Sequence, residues 1–563
     1  MDRVFRCKKT GGGIHKKFRA FAVASAMVLA LPAYPLQAAE QVPAAYMNTF
    51  QQVTKTYPST RDQGSYSTCW AFTAISLAEM DLITDNHAAG KGVDLSELAL
   101  SYDTWHPAAD PFGGTKGDGL STTAGYLEIG GNLDYCSRVL LQWRGLIQEK
   151  KAPYASAFAY RGGKETQAAH LQNVSILDLH KNRSRVKKEI MEHGGAGISF
   201  YFSNREGFDQ MASYQGEKVA VYYCNKTYEP NHAASVVGWD DDFPAAYFKN
   251  KPGKNGAWLV RNSWSDTAAN SINSYFWLSY EDKSLESDAW ILDFEPADNY
   301  DYIYQYDGCP AVGKVTACPV SANVFKVQGA SNELLRAVSI TLNEDNAVPY
   351  TIKVYSNLSN SSNPRSGILE TTVSGKTTAK GTFTIPLKQP VSLKKGMKYA
   401  IVVELNKKNA GIDMEFAASD ESVKSVVGIK KNQSFLYRNG AWKDVSQIVT
   451  RQKWGNLCIK GFSDKSKSSV GTVSKLKASG ASARSVKLSW TKAASAQGYE
   501  LYRADSKNGT YRKIATVKGK SYKNTGLKKG KTYYYKVRAY KKTNGVKITG
   551  KLSPAVKVSG KRG

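Results

Sequence analysis

One cysteine and one histidine in the first half of the chain have the surroundings expected of a nucleophile and its base. Cys69 opens a stretch without glycine or proline that extends to Thr84, which places it at the start of a predicted helix. The positive end of a helix dipole favours the thiolate form of such a cysteine. His232 begins an apolar segment, predicted as a strand, in which packing would hold the imidazole ring still. A cysteine and an imidazole within hydrogen-bond reach are the pair that nucleophilic acyl transfer requires.

Two side-chain amides complete this arrangement. Gln63 lies six residues before Cys69, so its amide could fold back and stabilise an oxyanion together with the backbone N–H of Cys69. Asn262 follows a predicted strand at Ala257–Arg261, where it would orient the imidazole by accepting a hydrogen bond from the second ring nitrogen. Trp264 would cover that hydrogen bond against water. We therefore expect these polar residues to form one catalytic site.

The elements that must position these residues divide the chain into several units. Helical and strand patterns alternate in the first half, with helices predicted over 69–84 and 132–146 and strands over 257–261 and 275–280. The next segment is almost wholly β, and its short runs between turn residues indicate a sandwich or jelly roll. A Ser/Lys-rich stretch with few apolar residues predicts a flexible linker before a last small β unit. The expected boundaries are 1–39, 40–298, 299–462, the linker 463–474, and 475–563.

The first 39 residues are typical of a secretory signal peptide. Seven Lys and Arg precede an apolar run from Phe21 to Leu31, and small residues follow at Ala38 and Ala39, where cleavage is expected. The apolar run is too short for a stable transmembrane helix, so we expect a secreted, extracellular protein without a transmembrane segment after cleavage. An uncleaved anchor is the alternative.

Composition and charge narrow the choice of partners. The 563 residues carry a net charge of +29, and residues 461–563 alone hold 26 Lys and Arg against 3 acids. This basic end either forms a solvated face or binds an anionic cell-wall polymer; nucleic acid is not expected for a secreted chain without a recognition motif. No CxxC pair or histidine cluster indicates a metal site, and we expect no cofactor. Spacing alone does not decide whether Cys309 and Cys318 are bridged.

The segments around the candidate site resemble the papain family of cysteine peptidases. The resemblance covers roughly residues 42–285. By that resemblance Gln63 is the oxyanion donor, Cys69 the nucleophile and His232 the general acid and base, with Asn262 as its orienter. Gly130 and Gly131 would lie along the substrate's backbone, beside Trp264. The matching stretches, in the family's order, are Gln63-Gly64, Cys69-Trp70-Ala71-Phe72, Leu95-Ser96-Glu97, Gly130-Gly131-Asn132, His232 with Val237-Gly238, and Asn262-Ser263-Trp264.

The sequence also departs from the family's pattern. Tyr66-Ser67-Thr68 replaces the usual Cys-Gly-Ser before the nucleophile, so the usual neighbouring disulfide cannot form. His232 lies 163 residues after Cys69, beyond the roughly 130–150 typical of the family, which indicates inserted loops. The stretch between the expected cleavage site and Cys69 is too short for the family's long helical pro-region.

The two later units resemble known modules. Residues 299–462 are similar to the lectin-like domain that follows the papain-like domain in some clostridial cell-wall peptidases, which implies a β-sandwich and a carbohydrate as a candidate partner. The last unit resembles a fibronectin type III domain, with Trp490 on an early strand and Tyr499 and Tyr502 on the next. The expected fold is therefore an α+β two-lobed papain-like domain followed by a lectin-like β-sandwich or jelly roll and a fibronectin type III β-sandwich.

These features predict a cysteine endopeptidase that cleaves extracellular or cell-surface proteins or peptides through a thioester. One alternative is a catalytically silent surface adhesin that kept the papain fold, although none of its four polar site residues is lost. Another is a Cys/His peptidoglycan hydrolase, which shares the chemistry but would not be expected to carry the same motifs.

Overall fold

The computed structural model describes residues 42–87, 92–156, 160–163, 165–203, 210–264, 272, 274–345, 347–448, 454–466, 468–543 and 546–559. The predicted signal peptide, 1–39, lies outside these residues. Among the helices that are described, none is both long and apolar enough to cross a membrane.

The described residues of the first domain form five α-helices. The central one starts at Cys69, and every residue from Trp70 to Leu82 is buried, which explains why its sequence is apolar on all sides. Two others begin at polar caps: the Ser96 hydroxyl accepts from the Ala99 N–H and the Asn132 side chain from the Tyr135 N–H. The helices are α1 (Phe50–Thr56), α2 (Cys69–Thr84), α3 (Glu97–Trp105), α4 (Leu133–Leu140) and α5 (Arg183–His193).

The strands of this domain form a β-rich lobe against which the helices pack. Helix α2 and the helices near it share one apolar core on one side, while α5 lies over a second core on the other. The predicted two-lobed α+β architecture is therefore confirmed. The strands are β1 (Ala45–Tyr46), β2 (Gly119–Thr122), β3 (Ala169–Asp178), β4 (Ala196–Phe200), β5 (Gln210–Tyr214), β6 (Glu217–Tyr222), β7 (His232–Asp240), β8 (Ala257–Arg261), β9 (Tyr275–Ser279) and β10 (Asp288–Pro296).

The helix predicted over 132–146 is wrong at its C-terminal end. Helix α4 stops at Leu140, six residues early, because Trp143 and Gly145 adopt the left-handed backbone conformation, with φ of 62° and 81°. The helix predicted over 69–84 and the strand over 257–261 have the predicted bounds.

The second domain is almost wholly β, as predicted, and it is joined to the first domain through a shared sheet. Its strands β14, β17, β24 and β11 extend the sheet of the first domain, because β17 pairs antiparallel with β3, Lys380 opposite Ile176. Its strands are β11 (Tyr302–Tyr304), β12 (Val312–Gly313), β13 (Val320–Lys326), β14 (Glu333–Leu342), β15 (Pro349–Ser356), β16 (Ile368–Lys376), β17 (Lys380–Leu393), β18 (Lys398–Leu405), β19 (Met414–Phe416), β20 (Val423–Val426), β21 (Ser434–Arg438), β22 (Ala441–Asp444), β23 (Trp454–Leu457) and β24 (Ile459–Lys465), with one short helix, α6 (Val445–Ile448).

Cys309 and Cys318 point toward different partners within this domain. The Cys309 sulfur lies 3.3 Å from the Ser425 hydroxyl, and the Cys318 sulfur accepts a hydrogen bond of 3.2 Å from Arg438 Nε. The bridge that their spacing left open is therefore not formed in this structure.

The third domain is a small β-sandwich around Trp490, Tyr499 and Tyr535. Within the expected linker 463–474, strand β24 continues to Lys465, and Val470 and Val473 are buried in the core of the third domain. Both ends of the linker are therefore attached to folded units. The strands are β25 (Lys477–Ser479), β26 (Ser485–Ser489), β27 (Gly498–Ala504), β28 (Arg512–Val517), β29 (Ser521–Thr525), β30 (Thr532–Thr543), β31 (Val546–Thr549) and β32 (Val556–Ser559).

Candidate active site

Cys69 stands at the first position of α2, at the junction of the helical and β-rich lobes. It is partly exposed, and the backbone N–H of Ala233, the residue after His232, hydrogen bonds to its sulfur. The N–H groups of Cys69 and Trp70 also point to the sulfur, which lowers the pKa of the thiol. Burial outweighs these three donors and raises the pKa of the thiol above its ordinary value.

His232 is held through its Nε2 atom, which lies 2.8 Å from Oδ1 of Asn262. The orientation of the Asn262 amide is fixed, because its Nδ2 donates to the Ile272 carbonyl at 2.7 Å and its Oδ1 accepts from the Ser263 N–H at 2.9 Å. An oxygen at this position requires a proton on Nε2 of the imidazole. Nδ1 is therefore the nitrogen left to take a proton from Cys69.

Aromatic rings enclose the imidazole. Trp264 stacks on His232 with ring centroids 4.7 Å apart and an interplanar angle of 19°, and Phe200 meets it edge-on at 5.6 Å. Because the ring is buried, the pKa of His232 is lowered to about 4, although the hydrogen bond to Asn262 opposes this shift. His232 is therefore a neutral base over most of the pH range.

Gln63 is buried, and Ser263, the residue after Asn262, fixes the orientation of its amide. The Ser263 hydroxyl donates to Oε1 of Gln63 at 2.6 Å, and the Gln63 N–H donates to the Ser263 carbonyl at 2.9 Å. Nε2 of Gln63 donates one hydrogen to the Tyr66 carbonyl at 2.7 Å. An amide nitrogen has two hydrogens, so the second is free of this bond and suited to an oxyanion.

The two glycines predicted along the substrate have different structural reasons for being glycine. Gly130 has a φ of 82°, in the left-handed region, and open space where a Cβ would lie. Gly131 packs against the Trp70 indole, where an added Cβ would come within 2.4 Å of the ring. Trp264 stacks on the imidazole, as expected of a residue that covers the His232–Asn262 bond, and its contact with substrate stays a prediction.

The sequence did not predict the ion pairs that support the site. Arg61, two residues before Gln63, contacts Glu79 of α2 at 2.8 Å and Glu97 of α3 at 2.7 Å. Arg261, next to Asn262, donates to the carbonyls of Pro58 and Ser59, which joins β8 to the segment that carries Gln63. Glu79, one of two acids in a largely apolar helix, was the available signal, because a buried carboxylate requires a cationic partner.

This arrangement provides the groups required for acyl transfer. It contains a nucleophile, a base with one oriented nitrogen, and N–H donors from Gln63 and Cys69. The structure thus brings together Gln63, Cys69, His232 and Asn262, which lie up to 199 residues apart in the chain.

Comparison with known families defines the class of each domain. Residues 48–289 match the model of the papain family cysteine protease, residues 303–463 that of the lectin like domain, and residues 471–553 that of the fibronectin type III domain. The chain therefore contains a papain-family cysteine protease domain followed by a lectin-like and a fibronectin type III domain, as predicted.

Individual relatives are more distant. The chain is 25% identical over 206 residues to cysteine proteinase 15A of Pisum sativum, covering 36% of this chain and 50% of the relative. It is 27% identical over 219 residues to a cysteine protease of Blomia tropicalis, covering 38% of this chain and 56% of the relative. The chain thus spans about half the length of the curated relatives it matches.

Among solved structures, the chain resembles the clostridial cysteine protease Cwp84. One structure, of Cwp84 after propeptide cleavage, superposes with a TM-score of 0.61 at 23% identity and covers 75% of this chain and 99% of the other. A second, of the cysteine protease and lectin-like domains of the same surface layer associated protein of Clostridium difficile, has a TM-score of 0.59 at 22% identity, covering 75% and 89%. At this identity the likeness concerns the fold.

Proposed function

We propose that the protein is a secreted cysteine endopeptidase that hydrolyses peptide bonds of extracellular or cell-surface proteins. The observation that carries the proposal is the 2.8 Å bond between His232 Nε2 and Asn262 Oδ1, with Ala233, the residue after this histidine, bonded to the Cys69 sulfur. That arrangement leaves Nδ1 of His232 as the base for Cys69. The proposed domain boundaries are those predicted from the sequence. The protease domain is 40–298, the lectin-like domain 299–462 and the fibronectin type III domain 475–563.

The first half of the reaction forms a thioester. As the Cys69 sulfur attacks the substrate carbonyl carbon, its proton moves to Nδ1 of His232, and the carbonyl oxygen becomes an oxyanion. The free N–H of Gln63 and the backbone N–H of Cys69 would stabilise that oxygen. The imidazolium then gives its proton to the nitrogen of the breaking C–N bond, and the amine leaves.

The second half releases the acyl group. His232 takes a proton from water, the resulting hydroxide attacks the thioester carbonyl, and the same two N–H donors hold the second oxyanion. The C–S bond breaks, the sulfur regains a proton from His232, and a carboxylic acid leaves. Asn262 keeps one imidazole nitrogen protonated throughout, so a single ring position cycles between acid and base.

The test combines active-site labelling with proteolysis. A thiol-directed epoxide should form a single adduct on Cys69 in residues 40–563, and the Cys69→Ala variant should neither be labelled nor cleave casein. Cys136, a buried thiol whose pKa is raised by burial, is the matched control, and its alanine variant should retain both properties.

The alternatives give different results. A protein that binds cell surfaces but takes no label and cleaves no peptide would be the silent adhesin. A protein whose Cys69-dependent activity releases soluble fragments from purified peptidoglycan, but leaves casein and peptides intact, would be the peptidoglycan hydrolase. Either result contradicts the proposed endopeptidase.

We also propose that the third domain holds the enzyme near anionic cell-wall polymers. Its lysines lie mostly at the surface, including Lys518, Lys520, Lys523, Lys528 and Lys529. Changing these five to glutamine should reduce sedimentation with purified walls, and added salt should do the same to the wild type. Unchanged sedimentation would leave the lysines as a solvated face. The carbohydrate partner expected of the lectin-like domain stays a prediction.

A further inference from the structure

A hairpin of the lectin-like domain is attached to the protease domain beside the candidate active site. Strand β20 pairs antiparallel with β2, with Gly119 opposite Val426 and Thr122 opposite Val423. A further backbone bond of 3.1 Å joins the Thr123 N–H to the Ser422 carbonyl. The turn before β20 is therefore fixed relative to the protease domain, because backbone pairing holds both strands in one register.

This turn forms one wall of an open groove of about 540 Å³. The protease domain supplies the other side with Trp105, Gly131 and Tyr135, and the lectin-like domain supplies Asp420 and Glu421. The two domains thus share a single concave surface. Sites at such domain boundaries are common places for ligands.

One residue that lines the groove, Gly131, connects it to the start of helix α2. Gly131 packs against the ring of Trp70, the residue after Cys69, and the Trp105 indole donates to the Gly130 carbonyl at 3.3 Å. A peptide that reaches the Cys69 sulfur past these glycines would extend into the groove toward the turn of the lectin-like domain.

The charged residues described along the groove are both acidic. Asp420 and Glu421 are exposed, and no lysine or arginine is among the described residues that line it. Oδ1 of Asp420 accepts from the N–H groups of Ser422 and Val423 at 2.8 and 2.7 Å, which stabilises the turn and holds this carboxylate in place. A cationic group is the complementary partner for a groove of this charge.

We propose that the Asp420–Ser422 turn of the lectin-like domain helps to determine substrate specificity by favouring a lysine or arginine side chain in the groove. The inference rests on the proposed endopeptidase function and assigns to the second domain a direct part in it. The occupant is a segment of the substrate polypeptide next to the scissile bond. The lectin-like domain therefore acts on the choice of cleavage site as well as on protein architecture.

The experiment uses the full chain and fluorogenic peptides with Lys, Gln or Glu at each position around the scissile bond. At one position the wild type should prefer Lys over Glu by roughly fivefold or more in kcat/KM, as expected of contacts with exposed carboxylates. The D420N/E421Q double variant should lose this preference and keep its rate on the Gln peptide. Asparagine at 420 retains an oxygen for the two turn N–H groups, so the hairpin should remain folded.

Asp345→Asn is the matched control. It removes one charge from the same domain at a carboxylate that pairs with Lys380, away from the groove, and should keep the wild-type preference. An unchanged Lys-over-Glu ratio in the double variant, with cleavage intact, would overturn this inference alone. A wild type that takes no epoxide on Cys69 and cleaves no peptide would overturn the proposed function and this inference with it.

Discussion

The Ser263 hydroxyl donates a 2.6 Å hydrogen bond to Oε1 of Gln63, and so links the residue after Asn262 to the candidate oxyanion donor. The two residues come from segments 200 positions apart in the chain. Because Oε1 is held, Nε2 of the same amide points away from Ser263. One short contact therefore fixes which end of the amide faces the reacting carbonyl.

Removing this contact should weaken oxyanion stabilisation without removing its donor. We expect Ser263→Ala to lower kcat by about fivefold to tenfold, corresponding to the loss of a hydrogen bond worth about 1 kcal/mol. Gln63→Ala, which removes the donor itself, should lower kcat by about 10²- to 10³-fold. Steady-state kinetics on one peptide provide both numbers. In the Gln63→Ala background, Ser263→Ala should add almost nothing, and additive losses would contradict the positioning role.

The pH dependence of the reaction should depend on Asn262. Since the pKa of His232 is lowered to about 4, kcat/KM of the wild type should fall only near that pH, where protonation removes the base. The bond to Asn262 raises the pKa of His232, so Asn262→Ala should move the acid limb to lower pH and reduce the rate about ten- to a hundredfold. Asn262→Asp places an anion there and should move the limb to higher pH. An acid limb at the same pH in the wild type and both variants would contradict the assignment of Asn262 as the residue that orients His232.

The two adjacent glycines should respond differently to alanine. Gly131→Ala would drive a Cβ into the Trp70 ring, whose indole is held by a 3.0 Å bond to the Ser67 carbonyl, and should lower kcat/KM at least about tenfold. Gly130→Ala meets open space and adds only the strain of a left-handed backbone, about 1–2 kcal/mol. Its effect should appear in the thermal midpoint more than in kcat. Comparing kinetics and melting curves of both variants separates the two causes.

Much of the fold and site could be predicted from the sequence because the signals were local. The helix that starts at Cys69 lacks breakers, and β8 and the expected β-rich units are short runs of β-branched and aromatic residues between turn residues. The positive φ of Trp143, which ends α4, had no local signal. Neither did the pairing of β3 with β17 or of β2 with β20, because strand partners depend on distant contacts rather than on composition.

The third domain should dock on the second through a buried ion pair. Arg538 is buried, and its guanidinium lies 2.7 Å from Glu370 of the lectin-like domain and 2.9 Å from Glu500 of its own. Glu370→Ala removes this contact, one of several between the two domains, but leaves Arg538 paired with Glu500. We expect faster proteolysis near residues 466–474 with an unchanged fold of the third domain.

Arg538→Ala provides the contrasting variant for that contact. It removes the cation that Glu370 and Glu500 share, while Lys513 and Lys547 still contact Glu500, and should destabilise the third domain by about 1–3 kcal/mol. Hydrogen exchange of β27 and β30 reports this loss. Equal protection of these strands from exchange in Glu370→Ala and Arg538→Ala would contradict this account, because Glu370 should affect only the docking of the third domain and Arg538 also its folding.

The last prediction concerns a second buried pair, between α2 and α5. Nδ1 of His193 lies 2.7 Å from Oδ1 of Asp81, whose Oδ2 accepts from the Phe294 N–H of β10 at 2.6 Å. Asp81 raises the pKa of His193 to about 9 against the effect of burial, and burial raises the pKa of Asp81 to about 7, so both groups are charged between about pH 7 and pH 9. The stabilising effect of the pair should be lost as the pH rises through 9, where His193 loses its proton, and as the pH falls through 7, where Asp81 gains one. His193→Gln should therefore lower the thermal midpoint at pH 8 and have little effect at pH 10. Asp85 and Asp293 lie beside the pair. We expect no metal ion at these groups, so a chelator should not shift the wild-type midpoint. A chelator-dependent midpoint, or a His193→Gln effect that is the same at both pH values, would contradict this account.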